Sequence, residues 1–209
     1  AVRAASDIRI ATGQGDGLAL RGIEAAGGMW LSTAGSITVA NQNDGIPLKS
    51  GGDIELFADG SLAGNSGVIQ TLSGDAVAID LGAHGQRVMG SDTYLPGLLS
   101  VNAKGHVSLQ EQSGDLWLGS VVSRMADTDT WSLELVATAG DIRASERTET
   151  AQSLNIDASR VRLLAGGSDV NGIRNIGTLL MPLRMDADVL QASSRSSYAS
   201  VIAIEDQDD

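Results

Sequence analysis

The feature that most constrains this fold is a short apolar–x–apolar triplet that recurs between glycines. Alternation over three residues places two side chains on one face of a strand and one side chain on the other. A strand this short is unstable alone, so it must stack on copies of itself around a shared core. The first triplets are Ile8-Arg9-Ile10, Leu18-Ala19-Leu20, Met29-Trp30-Leu31, Ile37-Thr38-Val39, Ile46-Pro47-Leu48 and Ile54-Glu55-Leu56.

The same pattern continues through most of the chain and favours strands over helices. Glycine recurs every few residues, and each glycine costs about 1 kcal/mol in a helix interior. One interval, Leu179 to Gln191, leaves a short helix or capping turn open. We therefore predict an all-β fold, a parallel β-helix (β-solenoid) that forms a single elongated domain. Later triplets are Leu99-Ser100-Val101, Val107-Ser108-Leu109, Leu116-Trp117-Leu118 and Leu133-Glu134-Leu135.

Two interruptions define the predicted domain organisation. The segments 82–97 and 122–130 lack the triplet pattern and predict lateral excursions from the stack. Residues 1–167 are predicted to form β-helix coils, and residues 168–209 a less regular linking or capping repeat with an acidic tail. Because the chain begins at Ala1 without a signal-peptide pattern, we expect a piece of a longer polypeptide whose flanking repeats adjoin it.

Composition argues against several functional classes. The net charge of −12 disfavours nucleic-acid binding, which needs clustered basic residues, and docking on anionic lipid. With no cysteine, disulfides and thiolate metal sites are excluded. No apolar run approaches the roughly 18 residues of a transmembrane helix. We expect no nucleic-acid partner, no membrane insertion and no cofactor.

A Gly-Asp or Gly-Ser step followed by an apolar residue recurs at Gly35-Ser36-Ile37, Gly52-Asp53-Ile54, Gly74-Asp75-Ala76, Gly114-Asp115-Leu116 and Gly140-Asp141-Ile142. The tail adds Gly172-Ile173, Ile176-Gly177-Thr178, Pro182-Leu183 and Asp186-Ala187-Asp188-Val189-Leu190-Gln191-Ala192. Together these residues resemble the filamentous-haemagglutinin-like repeats of large bacterial exoproteins, secreted by two-partner or autotransporter routes. The resemblance implies a right-handed parallel β-helix that is secreted and displayed on the bacterial cell surface. The roles it implies are adhesion, biofilm cohesion and carriage of toxin tips, without a catalytic residue.

The Gly-Asp pairs allow two interpretations. Aspartates at repeated turns could bind calcium, as in a calcium-dependent extracellular module. The calcium-binding nonapeptide is approached once, at 13–18, with the wrong spacing. We favour a structural role, in which aspartate accepts backbone hydrogen bonds and glycine supplies a positive φ.

Trp30 and Trp117 are candidates for partner contacts. Each is the middle residue of a triplet, so alternation directs it away from the core. An exposed tryptophan suits a receptor or glycan contact, whereas the alternative is packing beneath a lateral loop. Arg87, Asp92 and Tyr94, in the first excursion, complete the predicted partner-binding set.

Catalysis by a carboxylate pair is an alternative function. A polysaccharide-degrading β-helix needs one acid and one base across the glycosidic bond, but no spacing here pairs the candidates. We therefore predict no catalytic residue, and His84 and His106 lack a metal-binding motif. The predicted function is a non-enzymatic segment of a secreted bacterial surface protein, an adhesin or rigid display spacer. Its partner would be a receptor or glycan on a host or neighbouring cell. The candidate carboxylates are Asp75, Asp80, Asp92, Asp127 and Asp129.

Overall fold

The computed structural model describes residues 2–13, 17–40, 48–60, 67–81, 95–125, 129–145, 154–166 and 172–207. Within these ranges every regular element is a β-strand. Among the described residues no helix is long and apolar enough to cross a membrane.

The strands form two sheets. The eleven-stranded sheet contains β1 (Val2–Ala4), β3 (Leu18–Leu20), β4 (Ile23–Ala25), β6 (Ile37–Val39), β7 (Leu48–Ser50), β9 (Ile69–Thr71), β10 (Val77–Leu81), β12 (Val107–Glu111), β14 (Leu133–Ala137), β17 (Arg160–Ala165) and β19 (Val189–Ser194). The nine-stranded sheet contains β2 (Ile8–Thr12), β5 (Met29–Thr33), β8 (Ile54–Ala58), β11 (Leu99–Ala103), β13 (Leu116–Ser123), β15 (Ile142–Ala144), β16 (Ile156–Ala158), β18 (Leu183–Asp186) and β20 (Ile204–Asp206).

The topology is that of a coil repeated along one axis. The first sheet follows the order β1-β4-β7-β10-β12-β14-β17-β19, with β3, β6 and β9 beside it. The second follows β2-β5-β8-β11-β13-β16-β18-β20, and β15 pairs with β13. Neighbours are parallel and never consecutive in the chain, so the chain visits both sheets before it returns one coil further. The chain is a parallel β-helix, which confirms the predicted fold class.

The apolar triplets are the rungs of this stack. Ile8, Met29, Ile54 and Leu99 share one register position on successive coils, and none is more than 7% exposed. Glu55, the middle residue of its triplet, is exposed. The alternation predicted from the sequence therefore holds, with two side chains directed inward and one outward. The stacked aliphatic columns form one continuous core.

The predicted interruptions are only partly described. In the segment 82–97 the structure describes residues 95–97. In the segment 122–130 it describes all residues except 126–128. β13 continues through Ser123, so the first two residues of the second segment belong to a strand. β18, β19 and β20 extend both sheets into residues 168–209. The sequence left a short helix or capping turn open at 179–191. In this interval the structure has strand β18 and the first residues of strand β19.

Close stacking of the corners explains why glycine is needed there. A Cβ on Gly51 would lie 2.0 Å from the carbonyl oxygen of Ala26, and a Cβ on Gly140 would lie 2.2 Å from that of Gly114. Among the five glycines of the Gly-Asp and Gly-Ser pairs, all described, only Gly74 has a positive φ, of 85°. The prediction of positive φ is therefore wrong at the other four. At Gly140 the backbone of the neighbouring coil leaves no room for a side chain.

Substitution of Leu56 tests the inward column. Leu56 is fully buried, so Leu56→Ala should lower the free energy of unfolding by about 2–5 kcal/mol through lost burial and a cavity. Glu55→Ala, one residue away on the exposed face, should change it by no more than about 0.5 kcal/mol. Urea unfolding followed by circular dichroism measures both values, and equal losses would contradict the assigned faces.

Candidate functional site

The acidic residues of the Gly-Asp pairs join one coil to the next. The Oδ1 of Asp53 accepts the backbone N–H of Leu98 at 2.9 Å, and the Oδ1 of Asp141 accepts that of Asn175 at 2.8 Å. Each acceptor precedes the first inward residue of its rung, and the donor holds the same place one coil later. Five other backbone N–H groups donate to a side-chain oxygen in the same way: Gly28 to Asp7, Val68 to Ser36, Asp141 to Asp115, Arg184 to Asn155 and Val201 to Asn175.

We call these acceptor side chains the acceptor ladder. Asp75 is not part of it, because its carboxylate accepts the hydroxyl of Ser73 at 2.5 Å within its own turn. Asp53, Asp115 and Asp141 accept backbone hydrogen bonds, as the structural interpretation predicts, but from the next coil rather than within their own turn. The ladder also includes asparagines, which sequence reasoning did not single out. A neutral amide oxygen accepts the same backbone donor, so the ladder depends on the oxygen rather than on negative charge.

All three tryptophans of the chain carry an arginine from a neighbouring coil over the ring. Trp30 and Trp117 are partly exposed between buried neighbours, so their outward direction is confirmed. The side chains that lie over the rings are arginines of neighbouring strands. The sequence analysis gave packing beneath a lateral loop as the alternative to a partner contact. The guanidinium carbon lies 5.4 Å from the ring centroid for Arg9 and Trp30, 5.3 Å for Arg143 and Trp117, and 5.5 Å for Arg160 and Trp131.

Trp117 is tied to the acceptor ladder. The arginine over its ring, Arg143, places Nε 2.9 Å from the Oδ2 of Asp115 and Nη2 2.7 Å from the Oδ2 of Asp141. Both carboxylates also accept backbone N–H groups through their Oδ1 atoms. Trp117 therefore contributes to the junction between two coils, and its contact with a partner stays a prediction.

Trp30 lies on a more open surface, the outer face of the nine-stranded sheet. It is in register with Arg9 on one side and with Glu55 on the other, and both of these are exposed. The ring of Phe57 lies 6.1 Å from the Trp30 ring, centroid to centroid, at an interplanar angle of 49°. We call Arg9, Trp30, Glu55 and Phe57 the aromatic face.

The aromatic face combines two apolar rings with a cation and an anion. Tilted ring pairs of this kind offer a rigid apolar surface, and the flanking charges supply hydrogen-bond donors and acceptors. Sequence reasoning missed Phe57, although alternation within β8 places it outward, between two buried residues. The arrangement suits a ligand that has an apolar surface bordered by hydroxyl or amide groups.

The remaining predicted residues are not brought into this face. Arg87, Asp92 and Tyr94 lie outside the described residues, so their part in partner binding stays a prediction. Asp75 and Asp80 border two different cavities. In the described part of the chain, no three histidine, aspartate or glutamate side chains are grouped to hold a metal ion. Asp127 and His84 are likewise outside the described residues.

A buried carboxyl that the sequence analysis did not single out lies at the end of β12. Glu111 is fully buried and accepts the backbone N–H of Leu81 at 2.9 Å and that of Ser113 at 3.0 Å. The Ser113 hydroxyl also donates to Asp80 at 2.7 Å. Burial raises the pKa of Glu111 above its usual 4.5, and the Asp80 carboxylate adds to the rise, whereas the backbone N–H groups of Ser113, Leu81 and Gly114 oppose it.

Removal of one ladder acceptor should destabilise the stack. Asp53→Ala leaves the backbone N–H of Leu98 without its acceptor, so the free energy of unfolding should fall by about 1–3 kcal/mol. Asp53→Asn keeps Oδ1 and should cost clearly less. Asp59→Ala, at an exposed position of the same coil, is the control. Chemical unfolding measures all three, and equal costs for Asp53→Ala and Asp59→Ala would refute the bridging role.

The buried carboxyl predicts a defined pH dependence. Because the folded state raises the pKa of Glu111, its favourable contribution is complete below pH 4.5 and is lost as the pH rises through the folded pKa. Glu111→Gln cannot ionise. The difference in unfolding free energy, wild type minus variant, should therefore increase as the pH falls from neutral towards 4. Urea unfolding across this range measures the difference, and a constant or opposite trend contradicts the assignment.

Comparisons with known proteins return no match. No family model, no curated protein and no solved structure matches this chain. The resemblance to filamentous-haemagglutinin-like repeats therefore rests on the residues quoted for it, and the fold rests on the strand pairings. The function has to be inferred from the surfaces that the coils present.

Proposed function

We propose that this chain is a non-enzymatic segment of a secreted bacterial surface protein, which displays a partner-binding face on a rigid stack of coils. The partner is a receptor or glycan on a host or neighbouring cell. The resemblance to exoprotein repeats supports export and surface display. The observation that carries the binding role is the aromatic face.

The stack is suited to the role of a stiff support. Successive coils share parallel strand pairing in both sheets, and the acceptor ladder adds side-chain bonds at the corners. The arginine–tryptophan pairs add contacts between coils on the outer surface. β5 and β8 are paired on both sides, so a surface built on them loses little conformational entropy when it binds a partner.

The aromatic face draws on three successive coils. Arg9 comes from β2, Trp30 from β5, and Glu55 and Phe57 from β8. Partly exposed tryptophan and arginine are the residue types that most often dominate binding energy at protein surfaces. Trp30 is one of the residues predicted from the sequence to contact a partner, and the structure adds a second ring and two charges around it.

A binding assay tests the role of the face. The fluorescently labelled chain should bind a cell type or a glycan on an array, and Trp30→Ser/Phe57→Ser should weaken that binding by about tenfold or more, as expected for a central aromatic contact. Trp131→Ser is the matched control. It also removes a tryptophan stacked on an arginine, but beside the eleven-stranded sheet, and should leave binding unchanged.

Two results would count against the proposal. Equal binding by the double variant and the control would remove the aromatic face from recognition. Export has its own test, because antibodies raised against the chain should label intact cells of the source bacterium. Labelling only after the cells are permeabilised would overturn surface display.

A further inference from the structure

We propose that a cavity on the outer face of the eleven-stranded sheet binds a single neutral sugar residue. The cavity has a volume of about 260 Å³. Its location on the other sheet makes it separate from the aromatic face, so the two proposals stand or fall independently. The residues that carry the argument are Asp75, Ser108, Glu134, Val136, Arg162 and Leu164.

The strand register produces an apolar floor. Val136 on β14 and Leu164 on β17 are register partners at outward positions of adjacent strands, and both are partly buried. The turn containing Asp75 borders the same cavity from the start of β10. Two branched aliphatic side chains side by side on an outer face form a small apolar patch, enclosed here by polar groups.

The side chain of Ser108 borders this floor. Ser108 is in register with Glu134, and its side chain faces away from the core because its neighbours in β12 point inward. It is nevertheless only 3% exposed. Its hydroxyl makes no hydrogen bond to another described residue, and it is not one of the fully buried polar atoms that lack a partner, so it is accessible from the cavity. A ligand hydroxyl in the cavity would pair with it.

The carboxylate of Glu134 is held in place by an arginine of the next coil. Arg162 Nη1 donates to Glu134 Oε1 at 3.0 Å, and His106 Nε2 lies 3.9 Å from Glu134 Oε2. His106 is itself oriented, because its Nδ1 donates to the carbonyl oxygen of Trp131 at 2.7 Å. A carboxylate has further lone pairs after these contacts, so Glu134 remains an acceptor whose position is already fixed.

Size and charge select the ligand class. Pockets for drug-sized ligands begin at about 300 Å³, so this cavity suits a single ring rather than a chain. A sugar ring has an apolar C–H face for Val136 and Leu164, and hydroxyls that donate to carboxylates and accept from Arg162 or Ser108. Two carboxylates, on Asp75 and Glu134, outnumber one guanidinium, which disfavours an acidic sugar.

Nuclear magnetic resonance of the ¹⁵N-labelled chain tests this site. The probes are the methyl glycosides of glucose, galactose, mannose and N-acetylglucosamine at millimolar concentrations. At least one should shift the amide signals of Ser108, Glu134 and Arg162. Ser108→Ala and Glu134→Gln should each weaken the binding by about tenfold, the loss expected when one or two hydrogen bonds to a ligand are removed.

Glu24→Gln is the matched control for charge. Glu24 also lies on the outer face of this sheet and pairs with an arginine, Arg3, at 2.9 Å, but it does not border the cavity. Its substitution should leave the sugar-induced shifts unchanged. The proposal is overturned if no glycoside shifts these amides, or if Ser108→Ala and Glu134→Gln bind as well as the wild type. Equal or tighter binding of methyl glucuronide would overturn the neutral class.

Discussion

Among the described strands, each rung inside the stack depends on hydrogen bonds to the coil before it and the coil after it. Strands of three to eight residues cannot satisfy their backbone groups or bury their side chains alone. Parallel pairing along both sheets satisfies the backbone N–H and C=O groups of the strands. The acceptor ladder satisfies backbone N–H groups at the corners, where regular pairing begins. Corners packed this closely also restrict residue size, as the contact between Gly140 and the backbone of Gly114 shows.

Since inward positions are committed to the core, only outward side chains are free to contact a partner. The aromatic face and the sugar-sized cavity both arise where outward side chains of adjacent coils align in register. Neither disturbs the column beneath it, as the fully buried Leu56 beside Phe57 shows. In this solenoid alternate side chains therefore divide between the core and the outer surface, where the two proposed binding sites lie.

The sequence was sufficient to predict the fold but only part of the sites. Alternation and glycine spacing predicted the rungs, and they placed Trp30 outward. They could not predict Phe57 as its neighbour, nor the buried Glu111, because such contacts depend on which residues face each other across coils. Coil length varies widely: 21 residues separate Asp7 from its ladder donor, and 45 separate Asp53 from its own. The register between coils therefore cannot be predicted from a fixed repeat length.

The acceptor ladder has a direction. In every bond of the ladder the side-chain acceptor belongs to the earlier coil and the backbone donor to the later one, from Asp7 and Gly28 to Asn175 and Val201. A coil that has already formed thus presents an oriented oxygen to the segment that follows it. In a chain that emerges amino terminus first, this direction would let each completed coil offer an acceptor to the next.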